Sequence, residues 1–163
     1  MAFALNYPDR VQKLIIADIA PKYYAPHHQK ILAGLSTLNL EEVSSRKAAA
    51  EHLKNFIPEA GTRQFLLKNL YWVSEGKLGL RINVAVLKNA AEAIGAAVQS
   101  QKQYNKPTLF LHGENSNYIN SKTDVEILQF FPKAEIVEIK EAGHWLHAEQ
   151  PLLFFQTLTQ WLI

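Results

Sequence analysis

A chain of 163 residues with 48% hydrophobic and 20% charged residues fits one globular domain and is too apolar for a disordered segment. Its formal net charge of +2, with Lys and Arg scattered along the chain, gives no electrostatic footprint for nucleic acid or a membrane surface. It contains no cysteine, which excludes a disulfide framework, a thiolate metal site and a cysteine nucleophile, and which fits a cytoplasmic protein, the expected compartment.

No stretch approaches the roughly 20 apolar residues that cross a bilayer. The opening MAFALNYP lacks the basic region of a signal peptide, and Pro8 interrupts it early. Residues 2–7 read as the last turns of a helix, stopped by Tyr7-Pro8. An uncapped helix end followed at once by a strand leads us to expect further chain upstream of Met1.

Val11–Ile19 (VQKLIIADI) is β-branched and apolar, the pattern of a strand buried on both faces of a parallel sheet, with Asp18 at its C-terminal end. Residues 20–104 differ. Pro21, Pro26 and Pro58 punctuate helical segments with apolar residues at Ile31-Leu32-Leu35-Leu38, Ala48-Ala49-Leu53-Phe56 and Phe65-Leu66-Leu70. Ser44 or Ser45 is placed to cap the second segment and Thr62 the third. Leu78–Asn83 alternates as a short extended piece, and the alanine-rich run Ala85–Val98 reads as helix. The α/β rhythm returns with a buried strand at Pro107–Gly113. A helix at Ser121–Phe131 follows, with Val125, Ile127, Leu128 and Phe131 as its apolar face. Then come a strand at Ala134–Ile139, a loop at Glu141–Pro151 and a closing helix at Leu152–Ile163. The expected class is α/β, with about three parallel strands flanked by helices. Residues 1–19 and 105–163 form the partial core, and residues 20–104 a helical insertion.

Ligands of open α/β sheets bind outside the C-terminal ends of the strands. Three polar residues fall there: Asp18 after the first strand, Ser116 after the second and His144 after the third. A carboxylate, a histidine and a hydroxyl at one sheet edge make the base half of a nucleophile–His–acid relay. His147 lies three residues past His144, but no third ligand is nearby, so no metal site is expected. His112 reads as a structural residue at a strand end.

In PTLFLHGEN, in FPKAEIVEIKEAGHWLHAEQP and in the closing helix, the sequence resembles the C-terminal portion of the α/β-hydrolase superfamily. Gly143-His144-Trp145, followed by His147, Glu149 and Pro151, resembles the catalytic-histidine loop. Residues 1–19 resemble the segment after the nucleophile elbow. Within the superfamily the likeness is to small bacterial esterases of the kind that includes the mitochondrial α/β-hydrolase-domain 11 proteins, supported by RQFLLKNLYW in the insertion.

The resemblance implies a carboxylesterase or thioesterase that cleaves small to medium acyl esters through an acyl-serine, without a cofactor, with residues 20–104 as its lid. His144 would be the base and Asp18 the acid. Two departures qualify this. The chain carries no Gly-x-Ser-x-Gly elbow. The position where many members carry the acid is Ser116, so Asp18 takes that role and Ser116 becomes a fourth member. Glu114, the other nearby carboxylate, lies too close to its strand end. The chain alone is then expected to be inactive, its nucleophile supplied from upstream. The alternatives are a silent fragment or partner-dependent module, whose open strand edge a homodimer or the upstream segment would cover, and another reaction of the same fold, dehalogenation or carbon–carbon hydrolysis.

Overall fold

The computed structural model describes all residues, Met1–Ile163. They form two compact units, Met1–Tyr23 with Ala97–Ile163, and Tyr24–Ala96.

The first unit is built on a parallel sheet of three strands, β1 (Leu14–Ala17), β4 (Thr108–Gly113) and β5 (Ala134–Ile139), in the order β1-β4-β5. β4 is the central strand and is buried almost throughout. Period-two alternation sends its side chains to opposite faces. Phe110 packs with Ala4 and Leu5 of α1 (Ala2–Asn6) and with Ile127 and Phe131, which lie in or beside α7 (Ser121–Phe130). Leu109 and Leu111 pack with Ile139, Ala142 and Leu146, and Phe154, Leu158 and Trp161 of α9 (Pro151–Leu162) join them. The sheet therefore has helices on both faces, as parallel sheets require.

Polar contacts fix the strand starts. The Tyr104 hydroxyl donates to Val11 O at 3.1 Å, and Lys106 Nζ donates to Pro8 O and Val11 O at 2.7 and 3.0 Å. Lys13 Nζ donates to Leu162 O at 2.7 Å, a cation on the carbonyl end of α9.

β1 is shorter than Val11–Ile19. Val11 still belongs to the turn that follows α1, its N–H bonded to Pro8 O, and Asp18 ends the strand by taking a left-handed φ of 50°. Nor is β1 buried on both faces. It pairs only with β4, so Leu14, Ile15 and Ile16 are half-buried and Ala17 is exposed.

Of the expected face of α7, Ile127 and Phe131, the latter just beyond the helix, are buried, together with Thr123, while Val125 and Leu128 are not. Those three lie four residues apart on one stripe, whereas Val125 and Leu128 are 64% and 44% exposed. The expected loop before the closing helix contains one helical turn, α8 (Leu146–Glu149).

The second unit is not all helical. Helices α2 (Gln29–Ser36), α3 (Arg46–Lys54) and α4 (Ala60–Leu67) are followed by an antiparallel hairpin of β2 (Leu70–Ser74) and β3 (Lys77–Leu80). The apolar run expected as one helix through Leu70 therefore splits after Leu67, and Gly76, with φ 71°, turns the hairpin. Ser45 caps α3 by accepting from Ala48 N, whereas Glu59 occupies the N-cap position of α4 and Thr62 lies inside it. The Arg63 guanidinium holds that entry by donating to Ile57 O and Pro58 O. Ala85–Val98 is two short helices, α5 (Val84–Asn89) and α6 (Ala91–Ile94), separated at Ala90. Leu35, Ala49, Leu53, Leu67, Leu70 and Leu78 form this unit's own core.

Candidate active site

The site forms where β1, β4 and β5 end. Asp18 follows β1, and its left-handed backbone turns the carboxylate toward the end of β4, an Asx-type geometry that aspartate tolerates. The backbone is pinned there, because Asp18 N donates to Leu111 O at 2.7 Å. The side chain is buried and fully engaged. Oδ1 accepts from Gly113 N at 3.2 Å, and Oδ2 accepts from the Ser116 hydroxyl at 2.5 Å and from His144 Nδ1 at 2.7 Å. A buried carboxylate is tolerable only with such a set of donors.

His144 stands on the loop after β5, its side chain 47% exposed against 1% for Asp18. A carboxylate accepts only, so the Asp18 contact puts the ring proton on Nδ1 and leaves Nε2 as the basic nitrogen. The other face of the arrangement is Tyr118, whose ring stacks on the imidazole with centroids 4.1 Å apart and planes 18° from parallel. The stack holds the plane of the imidazole against a flat aromatic face. Burial first, and then the negative charge of Asp18, push the Tyr118 phenol above its ordinary value, so it stays protonated.

The His144 loop is closely held. Asn115 N donates to Ala142 O at 2.9 Å, and Glu141, with φ 57°, donates its N–H to Glu114 Oε2 at 2.9 Å. Glu114 also meets Lys140 Nζ at 3.1 Å. These bonds, the Glu141 N–H first and Lys140 second, hold its carboxyl below the ordinary range. Glu114 is thus committed to the backbone of the His144 loop and takes no part in the Asp18–His144 pair.

The structure brings the three expected residues together, with Asp18 between Ser116 and His144. His147 turns away to the Phe154 ring, with centroids 6.2 Å apart. The sequence reading missed Tyr118. It lies two residues after Ser116 in the same turn, but nothing in that spacing identifies a ring that stacks on a histidine 26 positions later.

Because Ser116 supplies one donor to Asp18 and touches no nitrogen of the imidazole, Ser116→Ala is expected to cost little. A single hydrogen bond is worth about 1 kcal/mol. The loss in kcat/KM should therefore be roughly fivefold, measured by steady-state kinetics.

No protein-family model matches the chain. Individual proteins do. The chain is 36% identical to mouse (Mus musculus) sn-1-specific diacylglycerol lipase ABHD11, over 99% of this chain and 54% of that protein. It is 32% identical to esterase YbfF of Escherichia coli, over 99% of this chain and 62% of that protein. Among solved structures, a marine microorganism esterase superimposes with a TM-score of 0.93 at 37% identity, over 98% of this chain and 64% of the other. A more distant hydrolase of E-2-(acetamidomethylene)succinate, at 19% identity and a TM-score of 0.68, shares the fold. The chain belongs to the α/β-hydrolase superfamily, among relatives named as esterases and lipases. It spans between 54% and 64% of the length of the three nearer relatives described.

Proposed function

We propose that this chain carries the base half of a serine esterase or thioesterase that cleaves small to medium acyl esters. The observation that carries the reading is the 2.7 Å contact between His144 Nδ1 and a buried Asp18 that also accepts from Ser116 and Gly113. A serine held near Nε2 attacks the acyl carbonyl as His144 removes its proton. Asp18 stabilises the imidazolium, and His144 then protonates the departing alcohol or thiol. Water then attacks the acyl-serine as the same Nε2 takes its proton, and His144 returns that proton to the serine oxygen as the acid leaves. None of these steps requires a cofactor. The similarity to proteins named as esterases supports an ester substrate over the alternative chemistries.

The sequence holds no Gly-x-Ser-x-Gly, so we place the serine on a segment outside residues 1–163. We read residues 20–104 as a lid insertion. Support comes from the aromatic and apolar side chains that this insertion leaves exposed, Phe65, Trp72 and Val73 among them. No helix is long and apolar enough to cross a membrane.

The test compares the 163 residues alone with a protein that joins them to a serine elbow, using p-nitrophenyl butyrate and a fluorophosphonate label. Turnover and a labelled serine are expected only for the longer protein. Turnover by the 163 residues alone, lost on His144→Ala, would overturn the placement of the nucleophile.

A further inference from the structure

We propose that Glu149 is the positioning residue of His144, its carboxylate gripping the backbone on both sides of the histidine and so setting the angle at which the imidazole meets Asp18. The proposal rests on the reading of His144 as the base. Glu149 Oε2 accepts from Gly143 N at 2.9 Å, and Oε1 accepts from Trp145 N at 3.1 Å. One carboxylate thus takes the two amide protons that flank His144, and both bonds are charge-assisted.

The local structure explains why such a grip matters. His144 is half-exposed and lies between β5 and α8, where no sheet or helix ladder fixes its dihedrals. Ala142 and Leu146 are buried in the same apolar cluster, but each is two residues away from His144. Between those anchors, the orientation of the imidazole depends on the peptide groups of 143 and 145, and Glu149 holds both. Gly143 fits this arrangement. A Cβ built there would lie 3.2 and 3.3 Å from the two carboxylate oxygens, tighter than ordinary contact. The bond to Trp145 also caps the first turn of α8, a structural service. The bond to Gly143 does not, since it reaches back across the histidine to the far side of the loop.

The experiment uses the nucleophile-bearing protein with Glu149→Ala and Glu149→Gln. Displacing a proton-transfer group by a fraction of an ångström to an ångström costs up to about a hundredfold. Glu149→Ala is therefore expected to lower kcat roughly ten- to hundredfold with KM little changed. Glu149→Gln keeps the shape and one acceptor oxygen, and should fall between the two. In parallel, nitrogen-15 NMR follows the His144 Nδ1 proton. It should be a sharp resonance in the parent, broadened in Glu149→Ala and partly restored in Glu149→Gln.

A parent protein without that resonance overturns the relay reading itself. A parent resonance that persists unchanged in both variants overturns the Glu149 proposal alone, whether kcat is intact or falls only with thermal stability. If Glu149→Ala fails to fold, Glu149→Gln decides by the same two readouts.

Discussion

In the protein that carries the nucleophile, Asp18→Asn is expected to lower kcat/KM for an acyl ester by about a thousand- to ten-thousandfold, the loss that a wrong imidazole tautomer causes in such a relay. The argument is geometric. Gly113 N donates to Oδ1, which fixes one side of an asparagine at this position, because only its carbonyl oxygen can accept there. The amide nitrogen is then forced onto the side that faces Ser116 and His144 Nδ1. An amide N–H donates, so Nδ1 must become the acceptor and the ring proton moves to Nε2. A histidine protonated at Nε2 cannot take the proton of a nucleophile. The Ser116 hydroxyl can rotate to other acceptors, but the imidazole has no such freedom. The fold should survive, since a neutral group replaces a buried charge of the same shape. Steady-state kinetics with a thermal melt on the same sample separate the two effects. A fully active Asp18→Asn enzyme would remove Asp18 from the acid role. Glu114 is the nearest other carboxylate on the β4 loop, and it is occupied by Lys140 and Glu141.

Asp18 was legible in the sequence because strand ends in α/β sheets carry chemistry, and because the apolar run before it marks a strand. His144 was legible from its position after the last strand and its glycine neighbour. Its supports were not. Tyr118 meets the imidazole where the loops after β4 and β5 cross, and no sequence period encodes a crossing; the Glu149 bonds to Gly143 N and Trp145 N are local, but a glutamate at that spacing reads as an ordinary solvent-facing helix residue. The same limit explains the errors in the fold. Val125 and Leu128 are apolar, and a periodic reading puts them inside. Which stripe of α7 meets the sheet is decided by Ile127 and Phe131, which find Phe110. In the insertion, composition alone could not separate helix from hairpin, because the aromatic and β-branched residues Tyr71, Trp72 and Val73 follow a helical run without proline or glycine between them. β1 was read as doubly buried from its composition, which reports what a strand can bury and not how many neighbours it has.

Gly113→Ala is expected to damage both stability and catalysis through a single methyl group. Gly113 is the last residue of β4, with an ordinary backbone, so conformational freedom is not its reason for being glycine. Its reason is close approach. A Cβ there would overlap the carbonyl oxygens of Gly143 and Ala142, the residues that lead into His144. These are backbone atoms and cannot rotate away as a side chain would.

Two responses are open, and both are costly. If the loop keeps its place, the end of β4 must shift, which strains its pairing with Ile139 and the N–H that Gly113 gives to Asp18. If the strand keeps its place, the 142–144 backbone moves outward. The Asn115 N to Ala142 O bond and the Asp18–His144 contact then open together. Overpacking of this kind costs about 3 kcal/mol at the upper end of its usual range. In a chain of this size that lowers Tm by roughly 6–12 °C.

Because the yielding segment carries the base, activity should fall by about a hundredfold or more at temperatures where the variant is still folded. Thermal melts of the 163 residues test the first half, and esterase kinetics at low temperature in the nucleophile-bearing protein test the second. An alanine variant that melts like the parent and turns over normally would mean that the loop relaxes without moving His144. In that case the close contact of β4 with the histidine loop is not what sets the base in place.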